Sequence, residues 1–181
     1  MNKNTAFTIL TILSLVASAA VQTKQPKTVR DYFMLLPDKY FLLECCVRKS
    51  AHANKAEYLK RLLEIEDTAN GFLQGASDGA QSGFKMTLFK RPDKTHLVGF
   101  STAGEGGEAY YFLEYKNGKW RDVSKQVVPE YSERKIYELP RRGTTVEVFE
   151  MIGNELELSI GEKGAKLYDL EWKNGKFSIK K

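Results

Sequence analysis

Histidine and cysteine, the residues that most often mark a reaction, are scarce: the 181 residues hold two of each. The cysteines, Cys45 and Cys46, are adjacent. A bond between neighbouring cysteines strains the peptide between them, so the pair reads first as small buried apolar side chains. A bond to a second copy, a vicinal disulfide or a metal role are the alternatives, although no further Cys or His stands nearby to complete a zinc pattern. His52 lies in a polar stretch opening a helix and His96 opens a strand. Neither has an acid or a nucleophile at a motif spacing, which leaves a Cys–His nucleophile pair without local support.

Long hydrophobic runs are missing too. The longest, Ala6 to Val16, is interrupted by Thr8, Thr11 and Ser14 and falls short of the roughly 20 residues a spanning helix needs. This excludes a multi-span helical membrane protein. Charge of one sign is also lacking, because 28 Lys and Arg are interleaved with 23 Asp and Glu for a net +5. So modest an excess, spread along the chain, is no nucleic-acid footprint.

What is present begins with an export signal. Lys3, the apolar run and the small-x-small ending Ala17-Ser18-Ala19 form a cleavable leader over residues 1–19, with an uncleaved anchor as the alternative. Losing Lys3 lowers the net charge by one, from +5 to +4. Residues 20–181 then make one exported domain, periplasmic or secreted, of a length that can bury an adequate core.

Thr28-x-x-Asp31 has capping-box spacing, and Val29, Tyr32, Phe33 and Leu36 share one helical face before Pro37 stops the helix. Tyr40–Val47 is apolar and leans to helix. A longer helix is expected from Asn54 to Ala69, ended by Asn70-Gly71. It would carry Glu64, Glu66 and Asp67 at its C-terminal end, where negative charge opposes the helix dipole. Strand spacing then takes over: Phe84–Leu88, His96–Ser101, Ala109–Tyr115, Lys119–Val123, Thr145–Glu150, Glu155–Ile160, Lys166–Trp172 and Phe177–Lys180. A short helix is expected after Pro129.

An internal repeat is the most informative feature. Gly104–Trp120 reads GEGGEAYYFLEYKNGKW and Gly161–Phe177 reads GEKGAKLYDLEWKNGKF, ten identities in seventeen positions at a constant offset of 57. Such a repeat implies a recurring supersecondary unit. Each copy contains Asn-Gly, the type I′ hairpin signal. Counting back from the turns pairs Lys116 with Lys119, Tyr115 with Trp120, Glu114 with Arg121, Trp172 with Phe177, Leu170 with Ile179 and Asp169 with Lys180. Leu113, Tyr115, Trp120, Leu170, Trp172, Phe177 and Ile179 should therefore look inward.

The repeat disposes of one attractive motif. Gly104-Glu105-Gly106-Gly107 lacks the Gly-Lys-Ser/Thr ending and the helix of a phosphate loop, and Gly161-Glu162-Lys163-Gly164 stands in the same place in the second copy, so both read as turns. Asp78, alone among Gly71, Gly75, Gly79 and Gly83, lacks the alternating ligands of a calcium loop. No cofactor or metal motif occurs.

These elements give an α+β fold: N-terminal helices, then an antiparallel sheet of about eight strands built as two tandem four-stranded meanders. The element order resembles the β-lactamase inhibitory proteins, in which tandem repeats of helices and four strands share one antiparallel sheet and bind another protein. No motif residue matches, so the resemblance implies a binding role and transfers no site. Eight strands and export also resemble a lipocalin-like barrel, without that family's Gly-x-Trp start. The expected function is that of an exported, non-enzymatic binding protein meeting a protein or envelope polymer, with the flanking lysines of the two turns, Lys116, Lys119, Lys173 and Lys176, as the candidate contact surface. A small-molecule carrier with a barrel-like interior, or an unrecognised hydrolase, is the alternative. Cleavage of the leader predicts a mature N-terminus at Ala20; an intact mass that retains residues 1–19 would show an anchor instead.

Overall fold

The computed structural model describes residues 25–43, 51–104, 107–153 and 162–180, apart from the side chains of 51–53. The leader, Cys45-Cys46, the second half of Tyr40–Val47, the His52 side chain and the expected strand Glu155–Ile160 lie outside that description, and the first half, 40–43, is turn, bend and irregular chain where helix was expected.

Two helices, α1 (Val29–Leu35) and α2 (Ala51–Leu62), precede ten strands and a short α3. Thr28 and Asp31 form the expected reciprocal capping box. Strands β1 (Leu63–Asp67), β2 (Phe72–Gly75), β3 (Gly83–Lys90), β4 (His96–Gly104), β5 (Gly107–Lys116) and β6 (Lys119–Asp122) make one antiparallel meander. After α3 (Ser124–Val127), strands β7 (Lys135–Glu138), β8 (Thr145–Ile152), β9 (Glu162–Lys173) and β10 (Lys176–Lys180) make a second.

The α+β class holds, but the single sheet of two four-stranded meanders is corrected to a six-stranded and a four-stranded sheet. The reason lies in β3–β5, which are apolar on both faces. Phe84, Met86, Val98, Phe100, Leu113 and Tyr115 pack under the helices. Phe89, Leu97, Tyr110 and Phe112 face the other way and are covered by Val146, Val148, Leu170, Trp172 and Phe177 of the second sheet. The outcome is three layers, helices on a central sheet on an outer sheet.

The repeat pairs as counted. Tyr115 opposes Trp120 and Glu114 opposes Arg121, while Trp172 opposes Phe177, Leu170 opposes Ile179 and Asp169 opposes Lys180. Asn117 and Gly118 (φ 52° and 76°) and Asn174 and Gly175 (54° and 82°) supply the two left-handed residues of each turn. Both hairpins look inward toward different partners, β5–β6 toward the helices and β9–β10 toward the central sheet. A tryptophan pins each: Trp120 Nε1 donates to Leu35 O at 2.8 Å and Trp172 Nε1 donates to Lys90 O at 2.9 Å. Buried Lys55 donates to the neighbouring carbonyl of Leu36, so α1's last carbonyls find partners. Burial lowers the Lys55 pKa, against the opposing pull of Asp38.

Two local expectations are corrected. The long helix stops at Leu62, because Leu63-Glu64-Ile65-Glu66-Asp67 alternates in period two and pairs with β2. Glu64, Glu66 and Asp67 thus sit on a strand, and their conflict with a helix dipole disappears. The short helix lies before Pro129: Val128 is extended, as the residue preceding proline prefers.

Close layer packing rests on two glycines. A Cβ on Gly75 would come within 2.6 Å of the Phe84 ring and 2.7 Å of the Tyr58 ring, and one on Gly99 within 2.8 Å of Leu139 Cδ2. Gly75→Ala should loosen the helix layer and Gly99→Ala the outer sheet, each costing about 1–3 kcal/mol. Urea unfolding checks both, and an unchanged midpoint would mean the layers are not in contact there.

Candidate interaction surface

In a meander, alternate turns fall at the same end. The β1–β2, β3–β4 and β5–β6 turns therefore share one end of the central sheet, and the β7–β8 and β9–β10 turns share one end of the outer sheet. Contacts show that these two ends coincide. Arg141, between β7 and β8, pairs with Asp67 beside the β1–β2 turn at 3.0 Å. Thr87 Oγ1 donates to Pro140 O at 3.0 Å, and a Cβ on Gly175 would lie 3.6 Å from Pro92 in the β3–β4 turn. The two Lys-Asn-Gly-Lys turns thus flank the Arg91–Thr95 turn at one end of the molecule. Neighbouring tips are spaced by about 10 Å, either two strand separations or one sheet-to-sheet distance.

This end concentrates positive charge. The β3–β4 turn brings Lys90, Arg91 and Lys94; β5–β6 brings Lys116, Lys119 and Arg121; β7–β8 brings Arg141 and Arg142; β9–β10 brings Lys173 and Lys176. Three of these cations are ion-paired, to two carboxylates. Arg91 and Arg121 share Glu114, whose carboxyl is held below the usual range mainly by the Arg91 hydrogen bond. Arg141 takes Asp67. Lys90, Lys94, Lys116, Lys119, Arg142, Lys173 and Lys176 are exposed. Lys116 lies directly opposite Lys119 and Lys173 opposite Lys176, like-charge pairings that each cost a few tenths of a kcal/mol to about 1 kcal/mol.

Away from that end lie two concavities. A cleft of about 500 Å³ opens between the sheets, its floor including Gln74, Lys85 and Ser101 and its wall Glu138 and Lys163. Lys163 pairs with Glu138 at 2.7 Å and Gln74 donates to Glu64 at 2.6 Å, while Lys85 is exposed. A groove of about 550 Å³ runs beside β5 and α3. The space between the sheets is itself filled by Phe89, Phe112, Tyr137, Trp172 and Phe177, and the described strands form two separate sheets.

Among the described residues, His96, Ser124 and Asp78 are occupied structurally. His96 is half-buried with Nδ1 3.3 Å from the Tyr32 hydroxyl, and its pKa is lowered by burial and then by Lys90. Ser124 is buried, donating to Asp122 at 2.6 Å and accepting the Phe112 N–H at 2.8 Å. Asp78 accepts from the Ala80 and Gln81 N–H groups within its own turn. Among the described residues no group of three or more His, Cys, Asp or Glu is placed to hold a metal, and no helix is long and apolar enough to cross a membrane.

His96 carries a pH prediction. Its folded pKa lies below the ordinary 6.5, so below pH 6.5 the unfolded chain binds more protons than the folded one. Its contribution is complete above that pH and is lost as pH falls toward the folded value. His96→Gln should flatten the stability decline just below pH 6.5, measured as urea midpoints against pH; an identical decline in both proteins would assign it elsewhere. No protein-family model, curated protein or solved structure matches this chain.

Proposed function

We propose that this chain is an exported, non-enzymatic binding protein that meets an anionic polymer of the cell envelope through its hairpin-turn end. The observation that carries the reading is the gathering of the basic turns of both sheets at one end, with opposed lysines at the tip of each repeat hairpin. Two local repulsions at equivalent positions lower stability slightly, and departures from local consistency of that kind occur at functional or strained positions. A basic surface of this breadth attracts polyanions at low salt through long-range electrostatics. Each repeat hairpin is anchored to a neighbouring layer by its indole, Trp120 or Trp172, which lowers the ordering cost of contact.

The test is retention of the mature protein on immobilised heparin, a sulfated polysaccharide, eluted with salt. Replacing Lys116, Lys119, Lys173 and Lys176 with Gln should lower the eluting salt concentration clearly, each lysine contributing up to about 1 kcal/mol near an anionic surface. A control with Lys39, Lys60, Lys125 and Lys180 changed to Gln has the same net charge and should elute close to the unaltered protein. Equal displacement of both variants would reduce the effect to net charge and sink the assignment to the turns.

A further inference from the structure

The groove beside β5 is the place of a strand that is not there. The β5–β6 ladder ends with Leu113 opposite Asp122, where the chain turns into α3. Phe112 closes the ladder, its C=O accepting the Val123 N–H at 2.9 Å and its N–H donating to Ser124 Oγ at 2.8 Å. β5 nevertheless continues for five residues, Gly107 to Tyr111, paired to β4 on its other side down to Gly104 opposite Gly107. Successive residues of an antiparallel strand turn their N–H and C=O groups to opposite edges. Phe112 directs both toward the β6 side, so Tyr110 and Glu108 do the same, with no described strand opposite them.

Natural sheets cover or blunt such an edge. Here the cover is one phenol: the Tyr131 hydroxyl donates to Tyr110 O at 2.5 Å, standing where the N–H of a neighbouring strand would be. Burial is the main cause that pushes the Tyr131 pKa up to about 12, so it remains a donor through the neutral range. The Tyr110 N–H and the Glu108 backbone face a groove of about 550 Å³ whose far wall is Ser124–Gln126, Tyr131 and Glu133. The open stretch is about 17 Å long at 3.4 Å per residue, room for a four- or five-residue strand.

The charge of this groove opposes that of the molecule. Glu108, Asp122 and Glu133 against Lys125 give −3 + 1 = −2, in a chain whose net charge is +5. We propose that the open edge of β5 takes up an extended peptide segment bearing lysine or arginine, which adds as a strand beside Glu108–Tyr110 and sets its basic side chains against the acidic rim. Strand addition of this type draws affinity from main-chain hydrogen bonds and selectivity from alternate side chains. The site is separate from the basic turn end and does not depend on the reading given to it.

The test uses the full mature chain and four synthetic pentapeptides: acetyl-Lys-Val-Lys-Val-Lys-amide, the same peptide with Glu for Lys, and two Lys peptides N-methylated at alternate residues, one in each phase. Backbone amide shifts and hydrogen exchange are followed by NMR. The Lys peptide should perturb amides 107–111 and slow exchange at Glu108 and Tyr110 by about tenfold or more, as two shielded hydrogen bonds would. N-methylation in one of the two phases should weaken binding at least about tenfold, and Glu133→Lys should weaken it in the same direction. Tyr131→Phe, which frees the Tyr110 carbonyl, should strengthen binding, whereas a merely structural role for Tyr131 would weaken it. Equal binding of both N-methylated peptides, or of the acidic one, would overturn the proposal, as would perturbations confined to the hairpin tips. Slow exchange at Glu108 and Tyr110 that no peptide alters would also overturn it; dependence of that protection on protein concentration would then identify a second copy as the cover.

Discussion

A sheet that is apolar on one face can rest on a layer of helices and leave its other face wet. The central sheet of this protein cannot, because β3, β4 and β5 carry large apolar side chains in both directions. Phe33 stacks on Phe84 at 4.3 Å on one side, while Phe89 and Phe112 meet Phe177 at 5.1 and 5.2 Å on the other. Burying one such aromatic side chain is worth about 1.5–3 kcal/mol, so leaving either face open would forfeit several of these. The helices and the outer sheet are both consequences of that constraint. Gly75 and Gly99 are its geometric counterparts, each giving room for the layer above or below.

The same constraint shapes the surface. Stacking two meanders face to face brings their turns into register at one end, where Lys90, Lys94, Lys116, Lys119, Arg142, Lys173 and Lys176 are exposed. Asp67 and Glu114 are taken up by Arg141 and by Arg91 with Arg121, and Asp93 accepts the Thr95 N–H and hydroxyl within its own turn. Lys116, Lys119, Lys173 and Lys176 therefore keep an uncompensated field, which favours an anionic partner in the reading proposed above. The molecule is built with unlike regions, a basic rim of turns and an acidic groove beside β5, a polarity that net charge conceals.

The groove has a topological origin. A meander that ended with a full-length sixth strand would have no free edge beside the lower half of β5. Asp122 instead accepts hydrogen bonds from the N–H and hydroxyl of Ser124 and turns the chain into α3, which then crosses to the outer sheet. The price of that crossing is a stretch of β5 with no described strand beside it, where the Tyr131 hydroxyl meets the Tyr110 carbonyl in place of a ladder.

Much of the local structure was legible without coordinates. The capping box at Thr28, the two Asn-Gly turns and each counted cross-strand pair are set by interactions between residues close in sequence, where steric preference and spacing decide the outcome. Both lysine pairs of the candidate surface were legible for the same reason. Leu63–Asp67 was not, because its acidic residues and its continuity with a helical stripe suit either geometry until β2 pairs with it. How the strands divide between two sheets, which layer each repeat faces, the meeting of the turns at one end and the open edge of β5 were all decided by the tertiary structure. Each depends on which of two apolar faces meets which partner across dozens of residues, and alternation along a strand records only that a face is buried, never against what.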